Sequence, residues 1–176
     1  MTSHVQDRSR RWPELPFEAW RDTAATLHMW TQIVGKIRTV QTPWLNHSWH
    51  VTLYVTPQGL TTSPIPYGER TFQIDFDFIR HQLLIRTCDD EVRTLPLLAQ
   101  PTADFYTGVM NALRELDLTV EIVTKPNEVE KAIPFPEDRE HSSYDPEWAH
   151  RFWRVLLQVD RVFKRFRSGF NGKSSP

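Results

Sequence analysis

The strongest constraint on the fold is a change in the spacing of the apolar residues along the chain. From Phe17 to about Ile37 they recur every three or four residues, which is the spacing of one helical face. That face carries Trp20, Ala24, Leu27, Trp30, Val34 and Ile37. In TFQIDFDF (71–78) the apolar residues alternate with polar ones, which is typical of a strand with one buried face. The alternating residues are Phe72, Ile74, Phe76 and Phe78.

Shorter segments predict further strands around this one. WHVTLYV (49–55) also alternates, TPQG follows it as a turn, and LTTS (60–63) is expected to return as the second strand of a hairpin. SPIPYGER (63–70) contains too many prolines for a central strand and is expected to form an ordered loop. After the turn CDDE, VRTLPL (92–97) predicts another strand.

The strand over residues 71–78 is expected to pair with the segment that follows it. A turn at Arg80 and His81 joins apolar to apolar and acidic to basic residues across the two strands. The pairs in this register are Phe78 with Leu83, Phe76 with Ile85, and Asp75 with Arg86.

Two more helices and an irregular segment are expected in the second half of the chain. Thr102 is expected to cap a middle helix that ends near Leu116, and TVEIV (119–123) is expected to be a short strand. Residues 124–145 follow neither period and predict a long irregular segment. A last helix is expected to run from Pro146, with Asp145 as its N-cap and Gly169 at its end. Its predicted core stripe is Trp148, Phe152, Val155, Val159, Val162 and Phe166.

These elements predict an α+β fold, in which a mainly antiparallel sheet of about five or six strands packs with three helices. A chain of 176 residues can bury one sizeable core. Residues 1–11 are polar and basic and are expected to be a disordered tail. Residues 12–170 are expected to form a single domain, and residues 171–176 a C-terminal tail.

The composition argues against several classes of protein. The net charge of −1 gives no overall basic surface, so nucleic acid is not expected as a partner. No apolar run approaches about 18 residues and no signal peptide is apparent, so we expect no membrane span and a cytoplasmic location. Cys88 is the single cysteine, which excludes an intramolecular disulfide and a cysteine-rich zinc site. GxSxG, P-loop and GxGxxG signatures are absent from the sequence.

Four long stretches carry a resemblance to a known family: WRDTAATLHMWTQIVGKIR, NHSWHVTLYVTPQGLTTSPIPYG, FQIDFDF and FPEDREHSSYDPEWAHRFWRVLLQVDRVFKRF. Over about Trp12 to Pro176 the chain resembles an uncharacterised bacterial protein family, a domain of unknown function. The resemblance implies no activity and no functional residues. It also implies that members usually continue past GKSSP into a further aromatic-rich portion, so this chain looks shorter than typical members.

A candidate polar site combines two histidines near the predicted first strand with the acidic segment EDREHSSYD (137–145). Imidazole and carboxylate groups together suit a divalent metal such as zinc or manganese, with one position left for water. The alternative is that these side chains cap turns or lie in solvent. The candidate residues are His47, His50, Asp138, Glu140, His141 and Tyr144.

Asp75 and Asp77 are a second candidate, because alternation places both carboxylates on one face of a strand, about 7 Å apart. Such a pair can divide the roles of general acid and general base, or hold a hard cation. The alternative is that they are the solvent face of the strand.

Basic residues are concentrated in the last helix, where they can contact phosphates or another anionic ligand. The alternative is structural, since bases at the end of a helix are favoured by its dipole. The residues are Arg151, Arg154, Arg161, Lys164, Arg165 and Arg167.

Four aromatic residues, Trp44, Trp49, Tyr54 and Tyr67, are candidates for lining an apolar pocket for a planar ligand. The alternative is that they pack in the core.

The leading functional hypothesis is a non-catalytic ligand-binding or protein-interaction domain with an aromatic cleft, because signature motifs are absent while aromatic residues are abundant. The partner would be a small molecule or a protein, and a homodimer is possible. The alternative is a metal-dependent, hydrolase-like enzyme that uses His47 and His50 with Asp138, Glu140 and His141. A divalent metal cofactor is implied only under that alternative.

Overall fold

Three helices, two 3-10 segments and a six-stranded sheet make up residues 12–172, the part of the chain that the computed structural model describes. The helices are α1 (Phe17–Gln41), α2 (Thr102–Arg114) and α3 (Pro146–Ser168). The strands are β1 (Tyr54–Val55), β2 (Gly59–Thr61), β3 (Ile65–Tyr67), β4 (Arg70–Asp77), β5 (Gln82–Thr87) and β6 (Val92–Pro96). The predicted α+β fold is confirmed. The predicted tail over residues 1–11, and residues 173–176 of the other tail, lie outside the described residues.

The sheet is antiparallel and has one buried face. Its order is β1-β2-β4-β5-β6, and β3 pairs with the same edge of β4 beyond the end of β2. The alternating apolar residues of β4 and β5 are buried, and they share one core with α1 and α2. Trp30 of α1 is central to that core, stacked on Phe105 of α2 with 4.4 Å between the ring centroids.

The predicted register between β4 and β5 is wrong by two residues. Phe76, not Phe78, lies opposite Leu83, and the other predicted pairs shift with it. A shift by an even number of residues leaves each side chain on its predicted face. The predicted ion pair between Asp75 and Arg86 therefore still forms, on a diagonal of the ladder.

The register shifts because the turn between β4 and β5 is longer than the two residues expected. Asp77 ends β4, and its carboxylate accepts hydrogen bonds from the backbone N–H groups of Ile79 at 2.9 Å and Arg80 at 2.8 Å. His81 takes a left-handed conformation, with φ of 52°, and leads into β5. The loop is thus four residues, 78–81, and Asp77 holds it in shape.

The first predicted strand is only partly a strand. Residues 49–51 belong to the 3-10 segment Asn46–Val51, which begins with the left-handed backbone of His47 and Ser48, and β1 keeps only Tyr54 and Val55. The expected partner, LTTS, does return as β2.

Three other predictions are corrected. Residues 65–67, expected in a loop, form β3, where Pro66 is accommodated because β3 pairs with β4 alone among the described strands. Residues 119–123 form no strand; Val120 is buried and its neighbours are exposed, so the alternation reflects a loop with one side on the core. Thr102 is not a side-chain cap but the first residue of α2, and its hydroxyl donates to the carbonyl of His141 at 3.0 Å.

The start and end of α3 follow the prediction. The Asp145 carboxylate caps the helix by accepting from the N–H groups of Glu147 and Trp148, and Gly169 follows the last turn. The predicted core stripe is wrong, because the two buried residues of α3 are Ala149 and Trp153. The predicted stripe lies on the face next to the one that carries Ala149 and Trp153, and its Phe166 is 81% exposed.

The long irregular segment before α3 is fixed to α1 by hydrogen bonds. The Thr26 hydroxyl accepts from the N–H group of Ser143 at 3.1 Å, and the Thr23 hydroxyl accepts from that of Asp145 at 3.1 Å. Both threonines are buried. The start of α3 is thereby held against α1.

Candidate functional site

The two halves of the predicted polar site have separate partners. His50 is buried, and its Nδ1 accepts a hydrogen bond from the N–H group of Leu45 at 3.3 Å. His47 is exposed, and its ring lies 5.6 Å from that of Trp49. The partners of both histidines therefore lie within residues 44–51.

In the acidic segment, Asp138 and His141 are brought together. The Asp138 carboxylate is fully buried, accepts the N–H groups of Glu140 and His141 at 3.1 Å each, and lies 2.7 Å from Nδ1 of His141. Glu140 itself is exposed and pairs with Lys131. Asp138 thus orients the His141 ring and holds the turn that packs on α2.

The His141 ring borders a cleft of about 380 Å³ between α1 and the acidic segment, lined among others by Arg21, Asp22 and Ser142. Within residues 12–172, no three histidine, cysteine or acidic side chains are placed to hold a metal ion. The Asp138–His141 pair therefore has no third histidine, cysteine or acidic side chain among the described residues with which to hold a metal ion.

Asp75 and Asp77 have different roles. Asp75 pairs with Arg86 and accepts from the side chain of Gln73, whereas Asp77 is buried at the turn. Burial alone would raise the pKa of Asp77, but hydrogen bonds from the backbone of Arg80 and Ile79, and the Arg80 guanidinium, lower it. These partners of the Asp77 carboxylate belong to the turn that it closes, and because Asp77 is buried the alternative that it lies on the solvent face of the strand is wrong for it.

Tyr144 belongs to a polar contact that the sequence pattern did not indicate. Its hydroxyl lies 2.9 Å from Nδ1 of His81 in the β4–β5 turn, and its ring stacks on Trp30. Burial, reinforced by the charges of Asp145 and Asp77, raises the pKa of the Tyr144 hydroxyl. Burial, and then the charge of His150, lowers the pKa of His81. Residues so far apart in sequence offered no local signal for this pair.

The four candidate pocket aromatics have four different surroundings. Trp44 is 70% exposed and meets the edge of His50, and Trp49 lies beside His47. Two tyrosines are bound elsewhere: the Tyr54 ring faces Arg38 at 5.2 Å, and the Tyr67 hydroxyl accepts from Thr119 at 2.9 Å.

An apolar groove lies instead between α1, α3 and the free edge of the sheet at β1, with a volume of about 380 Å³. The Trp20 and Phe152 rings meet across it at 5.1 Å. Trp153 fixes α3 in place by donating from Nε1 to the carbonyl of Thr56 at 3.0 Å. The apolar residues of the groove are Trp20, Ala24, Leu27, Leu53, Val55, Leu60, Phe152 and Leu156. The helical spacing of apolar residues placed Trp20 and Ala24 on the apolar face of α1, but it did not indicate whether this face lines an open groove or a filled core.

The apolar surface continues along α3 beyond the groove, as an apolar stripe formed by Val155, Val159, Val162, Phe163 and Phe166. Val155 and Val159 lie one turn beyond Phe152 and Leu156, so the stripe and the groove are contiguous. Exposure reaches 67% at Phe163 and 81% at Phe166, because every residue from 161 to 170 lies beyond the body of the protein.

Two basic side chains flank the apolar stripe on a helical projection, whereas Arg161 and Lys164 lie on the opposite face of the helix. We call Arg165 and Arg167 the basic rim; both are exposed. Residues 161–170 contain no acid, and the nearest one, Asp160, pairs with Lys164 at 2.8 Å. Among residues 12–172, no carboxylate pairs with Arg161, Arg165 or Arg167.

Fold and surface together define an α+β protein with an open apolar groove at the edge of an antiparallel sheet. The sequence profile of a family of unknown function (DUF5996) matches residues 12–176. The chain belongs to this family. No curated protein and no solved structure shows significant similarity to the chain. Among residues 12–172, no helix has both the length and the apolar character needed to cross a membrane.

Proposed function

We propose that this protein is a non-catalytic protein-interaction domain that binds its partner through the apolar groove and the apolar stripe. The observation that supports this most strongly is the exposure of Phe163 and Phe166 on one contiguous apolar surface. Isolated exposed apolar residues are ordinary, whereas contiguous patches mark interaction sites.

The extent of this surface favours a protein over a small molecule. From Val155 to Phe166 the stripe runs about 16 Å along the helix axis, in addition to the groove. A small ligand is usually enclosed by its pocket, and the groove can enclose one only at the Phe152 end of this surface. A protein chain can cover both parts at once.

The metal-dependent alternative has no comparable support. Its proposed ligands divide into the His47 and His50 segment and the Asp138–His141 pair, each with partners of its own. No three suitable side chains in the described part of the chain are placed to share an ion.

The proposal is tested by removing the apolar character of the stripe without disturbing the core. In the double variant Val162→Gln/Phe166→Gln, both changes are at exposed positions, so the free energy of unfolding should change by no more than about 0.5 kcal/mol per site. A matched control, Ile79→Gln/Val123→Gln, removes two apolar side chains that are also exposed but lie outside the stripe.

Each protein is used to retain partners from a lysate of the source organism, with quantification by mass spectrometry. We expect at least one protein to be retained by the wild type and by the control, and to fall by roughly tenfold or more with the stripe variant, because loss of central apolar contacts costs over 1 kcal/mol each. Equal retention by all three proteins would contradict the proposal.

A further inference from the structure

We propose that the partner presents an acidic amphipathic helix, which packs along α3 with its apolar face on the stripe and its carboxylates on the basic rim. This inference rests on the proposed function and specifies the chemistry of the partner. It is drawn from the spacing of the stripe, the charges beside it and the shape of the adjoining groove.

The spacing of the apolar residues on α3 favours a helical partner. They follow one another at intervals of four and three residues, the repeat by which two helices pack side by side. The sequence of positions is Trp148, Phe152, Val155, Val159, Val162 and Phe166. Residues of the body occupy the first part of this repeat, since Phe152 contacts Trp20, and the later part is open. A second helix can insert its apolar side chains between the exposed ones.

The charge of the rim selects an acidic partner. Four bases and no acid lie between residues 161 and 170, and three of the bases have no carboxylate partner among the described residues. On a helical projection Arg165 and Arg167 fall on opposite sides of the stripe. Carboxylates on both flanks of an incoming helix would therefore meet guanidinium groups that can bind them in bidentate fashion.

A second copy of this chain fits less well. If two α3 helices pair through Phe163 and Phe166, the basic rim of one faces the basic rim of the other, whether the helices run parallel or antiparallel. Like charges placed together across an interface oppose association.

An anionic bilayer also carries negative charge, but it presents a flat surface. The apolar surface here is concave at the groove between α1 and α3, and a flat surface does not fill it. A helix can lie along the stripe and extend its end into the groove. The acidic helix therefore accounts for both parts of the surface.

The test uses two designed helical peptides of about three heptads with identical Leu and Val positions. One carries Glu at the flanking positions and the other Lys, and each bears a fluorophore for anisotropy titration with the full chain. We expect the Glu peptide to bind at least about tenfold more tightly than the Lys peptide at about 50 mM salt, and the ratio to shrink at about 500 mM salt.

Two charge variants assign the effect to the rim. Arg165→Glu/Arg167→Glu is expected to reverse the preference between the peptides. The control Arg114→Glu/Lys125→Glu changes the net charge equally, at exposed positions outside α3, and should keep the wild-type preference. The stripe variant Val162→Gln/Phe166→Gln should weaken both peptides alike.

The outcomes separate this inference from the proposed function. If both peptides bind equally and the stripe variant weakens both, the docking surface stands and the acidic partner is wrong. If neither binds while the lysate test identifies a stripe-dependent protein, the helical partner is wrong. If neither binds and retention is equal, both proposals fall. If the protein binds phosphatidylglycerol vesicles but neither peptide, the occupant of the surface is a membrane and not an acidic helix. If it forms concentration-dependent dimers in sedimentation and binds neither peptide, the occupant is a second copy of the chain.

Discussion

At the scale of single residues, Tyr144 connects three parts of the molecule. Its ring stacks on Trp30 at 5.5 Å, and its hydroxyl reaches His81 in the turn between β4 and β5. Trp30 is in turn stacked on Phe105 of α2. Tyr144, a side chain of the irregular segment, thereby contacts the central helix and the turn between β4 and β5. The surroundings of His81 itself make its protonation unfavourable.

The pKa of His81 is lowered in the folded state, first by burial and then by His150, although Asp77 opposes this shift. Above the pKa of the unfolded chain, about 6.5, both states are neutral and His81 costs nothing. As the pH falls below it, the unfolded chain takes up a proton that the folded chain does not, so the free energy of unfolding decreases. The decrease is at most about 1.4 kcal/mol per pH unit for one proton.

The substitution His81→Asn tests this, because Asn tolerates the left-handed backbone at φ of 52° and does not titrate. Urea unfolding from about pH 7.5 to about pH 5 should give a flatter dependence for the variant than for the wild type. His28→Asn, the same substitution at an exposed histidine, is the control for the change of residue type. Parallel curves for all three proteins would show that His81 contributes nothing to the pH dependence of the free energy of unfolding.

Asp77, whose pKa is lowered, contributes stability that is lost at lower pH, as the pH falls through its folded pKa.

What the sequence could predict at this scale was local. Asp145 as N-cap followed from its position before Pro146, and the ion pair between Asp75 and Arg86 survived an error in register. The contact between Tyr144 and His81 spans 63 residues, and no short-range rule links them. It depends on how the irregular segment packs, which the sequence pattern leaves open.

At the scale of elements, α3 consists of two unlike halves. The first half is fixed by Ala149, by Trp153 and by the cap at Asp145, whereas residues 161–170 are all exposed. The sequence pattern identified the apolar face of α3 but wrongly predicted that this face is packed in the core of the chain. It could not show which molecule covers that face, because a 4-3 repeat is the same whether its partner belongs to this chain or to another.

The two halves should differ in local stability. We expect the backbone amides of residues 162–168 to exchange with solvent at least about a hundredfold faster than those of 150–157, because an isolated helical end is marginal in water. Hydrogen exchange with mass spectrometry of peptic fragments measures both segments in one experiment.

The last turn of α1 is the internal control for helix ends in general. Its Arg38 is 6% exposed and packs on Tyr54, so this turn should be protected although it also ends a helix. Equal protection throughout α3 would mean that residues 161–170 are covered in solution. Binding of an acidic helix should raise their protection in the same way.

At the scale of the whole molecule, α1 is the central element that holds the sheet and the irregular segment together. Its Trp30 enters the core, and its buried threonines bind the segment that leads into α3. The groove lies between α1, β1 and the first half of α3, which is held by the Asp145 cap, by the buried Ala149 and by the hydrogen bond from Trp153 to Thr56. The hydrogen bonds between α1 and residues 143–145 therefore contribute to holding the start of α3 beside the groove.

Replacement of Thr26 by Val tests that dependence with little change in volume. The Thr26 hydroxyl donates to the carbonyl of Asp22 at 3.0 Å and accepts the N–H group of Ser143 at 3.1 Å. Val removes the acceptor and leaves the half-buried N–H group of Ser143 without it, which should lower the free energy of unfolding by about 1 kcal/mol or more. Chemical denaturation of both proteins measures the difference.

Thr39→Val is the matched control. Thr39 makes the same kind of bond within α1, from its hydroxyl to the carbonyl of Gly35 at 2.8 Å, but it is exposed and no other segment within residues 12–172 donates to it. Its replacement should change the free energy of unfolding by less than about 0.5 kcal/mol. If Thr26→Val is equally mild, the hydrogen bond from Ser143 to Thr26 contributes little to holding the segment before α3. A large loss at Thr26 only would show that the hydrogen bond from the irregular segment to α1 stabilises the attachment of the segment that leads into α3.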